Sequence, residues 1–150
     1  AESRQAPRIQ PMLELAALCA GDLERWSDAL RYCEQATRLR AHEDDPVRAC
    51  FNRTIEAYCR ARWGDANAIS TLESCRRFWT ERGWRPWLAN TLFYVAEACA
   101  DYGDYPRAST ALQEAIALNE AMGRTPALQK CRNRLSDLPT LNLNELCKTP

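Results

Sequence analysis

The chain has 150 residues, of which 20 are basic and 20 acidic, so its formal net charge is zero. That length buries roughly 68–70% of the unfolded surface, enough for one domain without disulfide or metal staples, and the cancelled charge removes the footprint expected of a direct nucleic-acid or anionic-membrane binder. No apolar run approaches the ~20 residues that cross a bilayer, and the first five residues are polar, without the hydrophobic centre of a signal peptide.

The first predicted helix carries Leu15, Leu18 and Cys19, an i, i+3, i+4 set that reads as a buried amphipathic stripe. Trp26, Ala29, Leu30, Cys33 and Ala36 continue at the same period in a second helix. Asp45-Pro46 supplies a cap followed by a proline suited to the first helical position, and opens a helix with Ile55, Tyr58 and Cys59 on its stripe. Gly64-Asp65 ends it, and Ile69, Leu72 and Trp79 mark the next. A third unit follows Pro86, with Val95, Ala98 and Cys99, the turn Gly103-Asp104, and then Tyr105, Ala108, Leu112, Ala115 and Leu118. Thr125-Pro126 caps and opens a last helix with Leu128, Cys131, Leu135 and Leu138 on one face.

The three stripes Leu15/Leu18/Cys19, Ile55/Tyr58/Cys59 and Val95/Ala98/Cys99 align 40 residues apart, and Pro46, Pro86 and Pro126 keep that interval. A fixed period of this length predicts stacked supersecondary units. The expected fold is all-α: an α-solenoid of about three antiparallel helix hairpins over residues 10–44, 45–84 and 85–124, closed by a C-terminal capping helix over 125–138. Residues 139–150 form a tail, and all 150 residues are read as a single domain.

These residues resemble the tetratricopeptide repeat (TPR) family. The third unit carries the resemblance best, in Leu92, Val95, Ala96, Cys99, Gly103-Asp104-Tyr105, Ala108, Leu112 and Ala115. The first matches through Trp26, Ala29, Cys33 and Ala36 but has Glu24-Arg25 where Gly-Asp is usual, and the second departs at Ile69 and Arg76, where small residues are expected. A 40-residue period exceeds the roughly 34 of the standard repeat and resembles the lengthened variety of bacterial signalling ATPases and transcription activators. A start at Ala1 rather than Met fits a segment of such a longer regulator.

The resemblance implies that first helices line a concave face. Carried over residue by residue, it assigns to that face Arg53 and Arg60, with Cys50, Ala57 and Ala61, in the second unit, and Asn90, Phe93, Glu97 and Asp101, with Ala100, in the third. Gln10, Leu13, Ala17, Ala20 and Gly21 leave the first unit bland. The expected function is non-enzymatic binding of a protein or peptide partner on this face, in the cytoplasm, within a larger regulatory protein. Two alternatives stand beside it: a ligand-sensing domain that receives a small-molecule effector in a transcription activator or signalling ATPase, and homo-oligomerisation through an exposed repeat end. At the level of single residues, Arg60 could instead pair with Glu97 or Asp101 across the repeat boundary as a surface ion pair.

A second candidate surface lies between units two and three, where residues 76–87 hold three tryptophans and four arginines. Trp and Arg dominate interface hot spots, which nominates Arg77, Arg82, Trp84 and Arg85, while Trp79 and Trp87 are expected to fill the seam between repeats. Among the eight cysteines, Cys19, Cys59 and Cys99 are expected in the core as reduced thiols. Helices of neighbouring repeats pack about 8–10 Å apart, too far for the roughly 4.4–6.8 Å that a disulfide spans. Cys147 is expected to be the most exposed thiol. The closest pair in sequence, Cys50 and Cys59, points to opposite sides of one helix, and the single histidine, His42, sits among Glu43, Asp44 and Asp45 in a solvated acidic turn. No metal site, cofactor or catalytic residue is therefore expected. Asn52-Arg53-Thr54 is a formal glycosylation triplet that falls inside a predicted helix.

Overall fold

The computed structural model describes residues 6–40 and 44–139, so His42, Cys147 and the tail from residue 140 onward lie outside it. The described residues form seven packed α-helices and no strand: α1 (Ala6–Asp22), α2 (Trp26–Arg40), α3 (Pro46–Arg62), α4 (Ala68–Arg82), α5 (Arg85–Asp101), α6 (Tyr105–Met122) and α7 (Thr125–Asp137). None of them is long and apolar enough to cross a membrane.

Local chemistry sets most boundaries. The Asp45 carboxylate accepts hydrogen bonds from the backbone N–H of Val47 (3.0 Å) and Arg48 (3.2 Å), with Pro46 in the first turn of α3, and Asp104 accepts from Arg107 N–H at the start of α6. Both satisfy amides that have no partner inside the helix. At α7 the expectation fails: Thr125 is already helical, and Arg124 occupies the capping position without a side-chain cap bond. Its guanidinium instead reaches Pro86 O, Asn90 Oδ1 and Asn119 Oδ1, at 3.1–3.3 Å, tying the α6–α7 turn to α5.

Where Gly103 turns with φ +77, the matching turn between α1 and α2 has Glu24 at φ +57, in the left-handed region that disfavours a Cβ. Three residues earlier, a Cβ at Gly21 would lie 2.7 Å from the Trp26 ring, which would have to shift to admit a side chain there.

The second helices pack through small residues. Ala29, Cys33 and Ala36 on α2, and Ala108, Leu112 and Ala115 on α6, are all buried. On α4 the matching set is Ala68, Leu72 and Cys75, all buried, while Ile69 and Arg76 are only partly so. The apparent misfit of the second unit is therefore one of alignment: Ala68, Leu72 and Cys75 stand 40 residues before Ala108, Leu112 and Ala115, and it is the α2 set of Ala29, Cys33 and Ala36 that lies one residue later in the register. Trp79 is fully buried, donates through Nε1 to Thr54 Oγ1 at 3.3 Å, and Trp87 lies against Phe51 at 4.0 Å, so the seam is filled by these two rings as expected.

The first helices differ sharply. Ile55 and Cys59 of α3, and Val95 and Cys99 of α5, are 0–2% exposed, but Leu15 is 62% exposed, Cys19 is exposed and Leu18 only partly covered. The expected buried stripe of α1 is thus a solvent-facing one, and the helix buries Gln10, Glu14, Ala17 and Ala20 instead. The cause is positional. On α3 the stripe meets α2, with Thr37 Oγ1 donating to Asn52 Oδ1 at 2.7 Å; on α5 it lies between α4 and α6; no described helix covers it on α1.

Ion pairs tie first helix to first helix: Arg48 to Glu14 (2.6 Å) between α3 and α1, Arg62 to Glu97 (3.0 Å) and Asp101 (2.6 Å) between α3 and α5, and Arg134 to Glu97 between α7 and α5. Arg107–Glu73 (3.3 Å) and Arg76–Glu114 (3.8 Å) link α6 to α4 on the other side.

Glu24→Gly should stabilise the fold by about 0.5–1 kcal/mol by relieving its left-handed backbone, and Gly103→Ala should cost about 1 kcal/mol. Urea denaturation midpoints check both, and a midpoint lowered by Glu24→Gly would show that the Glu24 side chain outweighs its backbone strain.

Candidate functional site

Arg53 has an exposed guanidinium that makes no ion pair or hydrogen bond to any described residue. It stands at the edge of a cleft of about 340 Å³ between α3 and α4, lined further by Glu56, Ala57, Arg60, Asp65, Asn67, Ala68 and Thr71. Spacing on α3 produces this: Arg53, Glu56, Ala57 and Arg60 recur at i, i+3, i+4 and i+7 and share one face. Ala57 and Ala68 form an apolar floor, and their small size lets α4 approach α3 closely enough to leave a walled groove.

Charge in the cleft is graded. Glu56 holds Arg60 through Nε (3.0 Å) and Nη2 (2.8 Å), which raises the Arg60 pKa through that hydrogen bond, while Arg53 is left available. The first amides of α4 are occupied by the preceding turn, with Ala68 N–H donating to Asp65 O (3.1 Å) and Ser70 N–H to Asn67 O (3.2 Å). Recognition here rests on side chains: a guanidinium that can take a carboxylate in bidentate fashion, a polar rim of Asn67 and Thr71, and an alanine floor suited to a small apolar group.

The six residues assigned to one concave face separate into three places. Arg53 and Arg60 line the α3–α4 cleft. Asn90 and Phe93 line a separate recess of about 180 Å³ between α5 and α7, where Lys130 Nζ lies 4.7 Å from the Phe93 ring centre and Asn90 Oδ1 accepts from Arg124. Glu97 and Asp101 face α3 and receive Arg62, not Arg60. At about 100° per residue, Arg62 projects roughly 180° away from Arg53 and 160° from Arg60, so the cleft arginines and the α5 carboxylates lie on opposite sides of α3. Register-equivalent residues have different surroundings: Ala57 lines the cleft, while Glu97, 40 positions later, is clasped by Arg62 and Arg134.

Arg62 is a structural hub that pattern reading missed. Besides its two carboxylates it donates from Nη1 to Tyr58 Oη at 3.0 Å and lies over the rings of Trp26 (5.1 Å) and Tyr58 (5.7 Å). Burial pushes the Tyr58 phenol up to about 12 and that of Tyr94, stacked on it at 4.3 Å, higher still. Position 62 corresponds to Tyr102 and Asp22 in the other units, so no periodic signal marks it.

In the tryptophan-arginine segment, Trp84 stacks on Trp79 (5.6 Å between centroids) and stays 45% exposed, and Arg82 covers Phe78 at 4.9 Å. Arg77 reaches Ser74 on its own helix at 3.5 Å, and Arg85 is exposed at the start of α5.

Two buried thiol pairs flank α3, also unforeseen as pairs. The Cys59 thiol beside Cys33 of α2, together with burial, raises the pKa of Cys33. Cys50 and Cys75 share a small apolar cluster with Trp79, and the interaction between the two thiols raises the pKa of Cys50 and lowers that of Cys75, with Arg53 favouring the charged form from the cleft side. Among the described residues no group of three His, Cys, Asp or Glu side chains is placed to hold a metal ion.

No protein-family model matches the chain, and no curated protein is significantly similar to it.

Removing Glu97 leaves both Arg62 and Arg134 without their shared carboxylate, so Glu97→Ala should cost on the order of 3 kcal/mol. Arg60→Ala, which breaks only an exposed i, i+4 pair, should cost about 0–0.5 kcal/mol. Equal losses for the two variants in chemical denaturation would contradict this division of roles.

Proposed function

We propose that the chain is a non-enzymatic, TPR-like helical-repeat module, an α-solenoid of hairpins within a larger cytoplasmic regulator, that binds an acidic peptide segment of a protein partner in the α3–α4 cleft. The observation that carries this reading is Arg53, an unpaired guanidinium at the mouth of an alanine-floored groove. A peptide carboxylate would complete it, with a small apolar side chain of the same peptide over Ala57 and Ala68. The groove is open along α3, which suits an extended or helical segment. This places recognition beside second helix α4, and Asn90, Phe93, Glu97 and Asp101 become elements of the scaffold.

Selection from a random dodecapeptide library displayed on phage should enrich sequences with Asp or Glu. Titration of a selected fluorescent peptide should then show at least tenfold weaker binding to Arg53→Glu, about 1.4 kcal/mol, and a smaller loss for Arg60→Ala. Selected peptides whose affinity is unchanged by Arg53→Glu would refute the cleft assignment.

A further inference from the structure

The recess of about 180 Å³ between α5 and α7 takes no part in the α3–α4 cleft, and there the scaffold residues Asn90, Phe93 and Tyr94 of α5 meet Ala127, Lys130 and Cys131 of α7. Its charge sets it apart. The α3–α4 cleft has Glu56 and Asp65 beside its arginines, and the groove between α4 and α6 has Glu73 and Glu114 beside Arg76 and Arg107. The wall of the α5–α7 recess has Lys130 and no carboxylate. Lys130 Nζ lies over the Phe93 ring and pairs with no described acidic residue. Arg124, next to the same wall, is equally unmatched in charge, because its hydrogen bonds go to Pro86 O, Asn90 Oδ1 and Asn119 Oδ1, all uncharged. One turn along α5 from Phe93, Glu97 is shared by Arg62 and Arg134, and Asp101 is taken by Arg62. Neither acid answers the two cations.

We propose that this recess binds a small carboxylate with a compact apolar body, held by Lys130. A concavity lined by one sign of charge concentrates the opposite ion, and an ammonium donates a short, charge-assisted hydrogen bond to a carboxylate. The field of both cations reaches the interior: burial pushes the Cys131 thiol up, while a hydrogen bond from Asn119, Lys130 and Arg124 all act against that rise. Asn90 suits the same ligand, since its Oδ1 is turned to Arg124 and its Nδ2 is left as a donor on a lining residue. The apolar remainder is supplied by the Phe93 and Tyr94 rings, whose centres lie 6.4 Å apart, and by the short side chains of Ala89 and Ala127. Pockets for drug-sized ligands run to roughly 300–1,000 Å³, so this smaller volume limits the body to one ring or a short branched chain. The recess shares no lining residue with the α3–α4 cleft, and its occupancy leaves Arg53 free.

Titration of the isotope-labelled chain with sodium benzoate at constant ionic strength, read from amide chemical shifts, tests this. Saturable shifts are expected in residues 89–94 and 127–131. Benzamide, which keeps the shape without the charge, and sulfate, which keeps the charge without the apolar body, should each bind at least about fivefold more weakly. Lys130→Gln should weaken benzoate by a similar factor, and Ala127→Leu, which keeps the cation and fills the recess, should abolish saturable binding, with Arg53→Glu unchanged. Thermal unfolding of each variant followed by circular dichroism establishes that it is folded. The absence of saturable shifts in those residues, equal affinity for benzamide or sulfate, or benzoate binding indifferent to Lys130→Gln would overturn the proposal. So would loss of benzoate binding in Arg53→Glu, which would move the anion to the α3–α4 cleft.

Discussion

Each first helix in this architecture has to be covered on two opposite sides at once, and most of the other features follow from that demand. On α3, Cys50, Thr54, Ala57 and Ala61 meet α4 while Asn52, Ile55 and Cys59 meet α2; on α5 the covering is almost complete, with Thr91, Leu92 and every residue from Val95 to Ala100 buried. Two helices can approach a third this closely only if the facing residues are small, which accounts for the buried alanines and cysteines. A fully buried Ile or Leu contributes about 1.5–3 kcal/mol, whereas the exposed ion pairs contribute little. Specific polar ties appear at the borders of the apolar contacts: Arg62 between α3 and α5, Arg48 between α3 and α1, and Arg124 between the α6–α7 turn and α5. Where the second cover is lacking, on α1, the same sequence pattern becomes surface.

Periodicity showed the number and order of helices, their capping at Asp45 and Asp104, and the seam of Trp79 and Trp87. What it could not show depends on neighbours rather than on local pattern. Leu15 and Cys19 have the spacing of a buried stripe, yet burial requires a partner helix, and spacing does not record whether one is present. Ile69 and Arg76 look like faults in the second unit only when it is aligned on Ala29 and Ala36 of α2, which lie one residue later in the register than the buried Ala68 and Cys75. Aligning backward from the third unit, whose Ala108 and Ala115 stand 40 positions after Ala68 and Cys75, contained that signal. The divergence of Ala57 and Glu97 is different in kind. They share a register, and only tertiary packing gives Glu97 the partner Arg62 and leaves Ala57 in the cleft.

That divergence reshapes the functional reading. A binding face transferred by register would join Arg53, Arg60, Glu97 and Asp101, but the carboxylates are spent on Arg62 and Arg134, and the cleft arginine faces away from them. The scaffold uses its cross-helix carboxylates to hold first helices together, and Arg53, outside those pairs, lies where two helices of one pair diverge. The Cys50–Cys75 pair lies next to that cleft, with Arg53 close enough to influence both thiols. The chemistry of α3 is thus divided by face: Arg62 and Tyr58 toward the stack, and Arg53 and Arg60 toward the groove.

One register position is buried or exposed according to whether a neighbouring helix crosses it. Three cysteines report on it directly. Dilute native protein treated with iodoacetamide and mapped by peptide mass spectrometry should carry label on Cys19 within minutes, while Cys59 and Cys99 stay unmodified until denaturant unfolds the chain. Labelling of Cys59 or Cys99 at the rate of Cys19, or protection of Cys19 alongside them, would contradict the account.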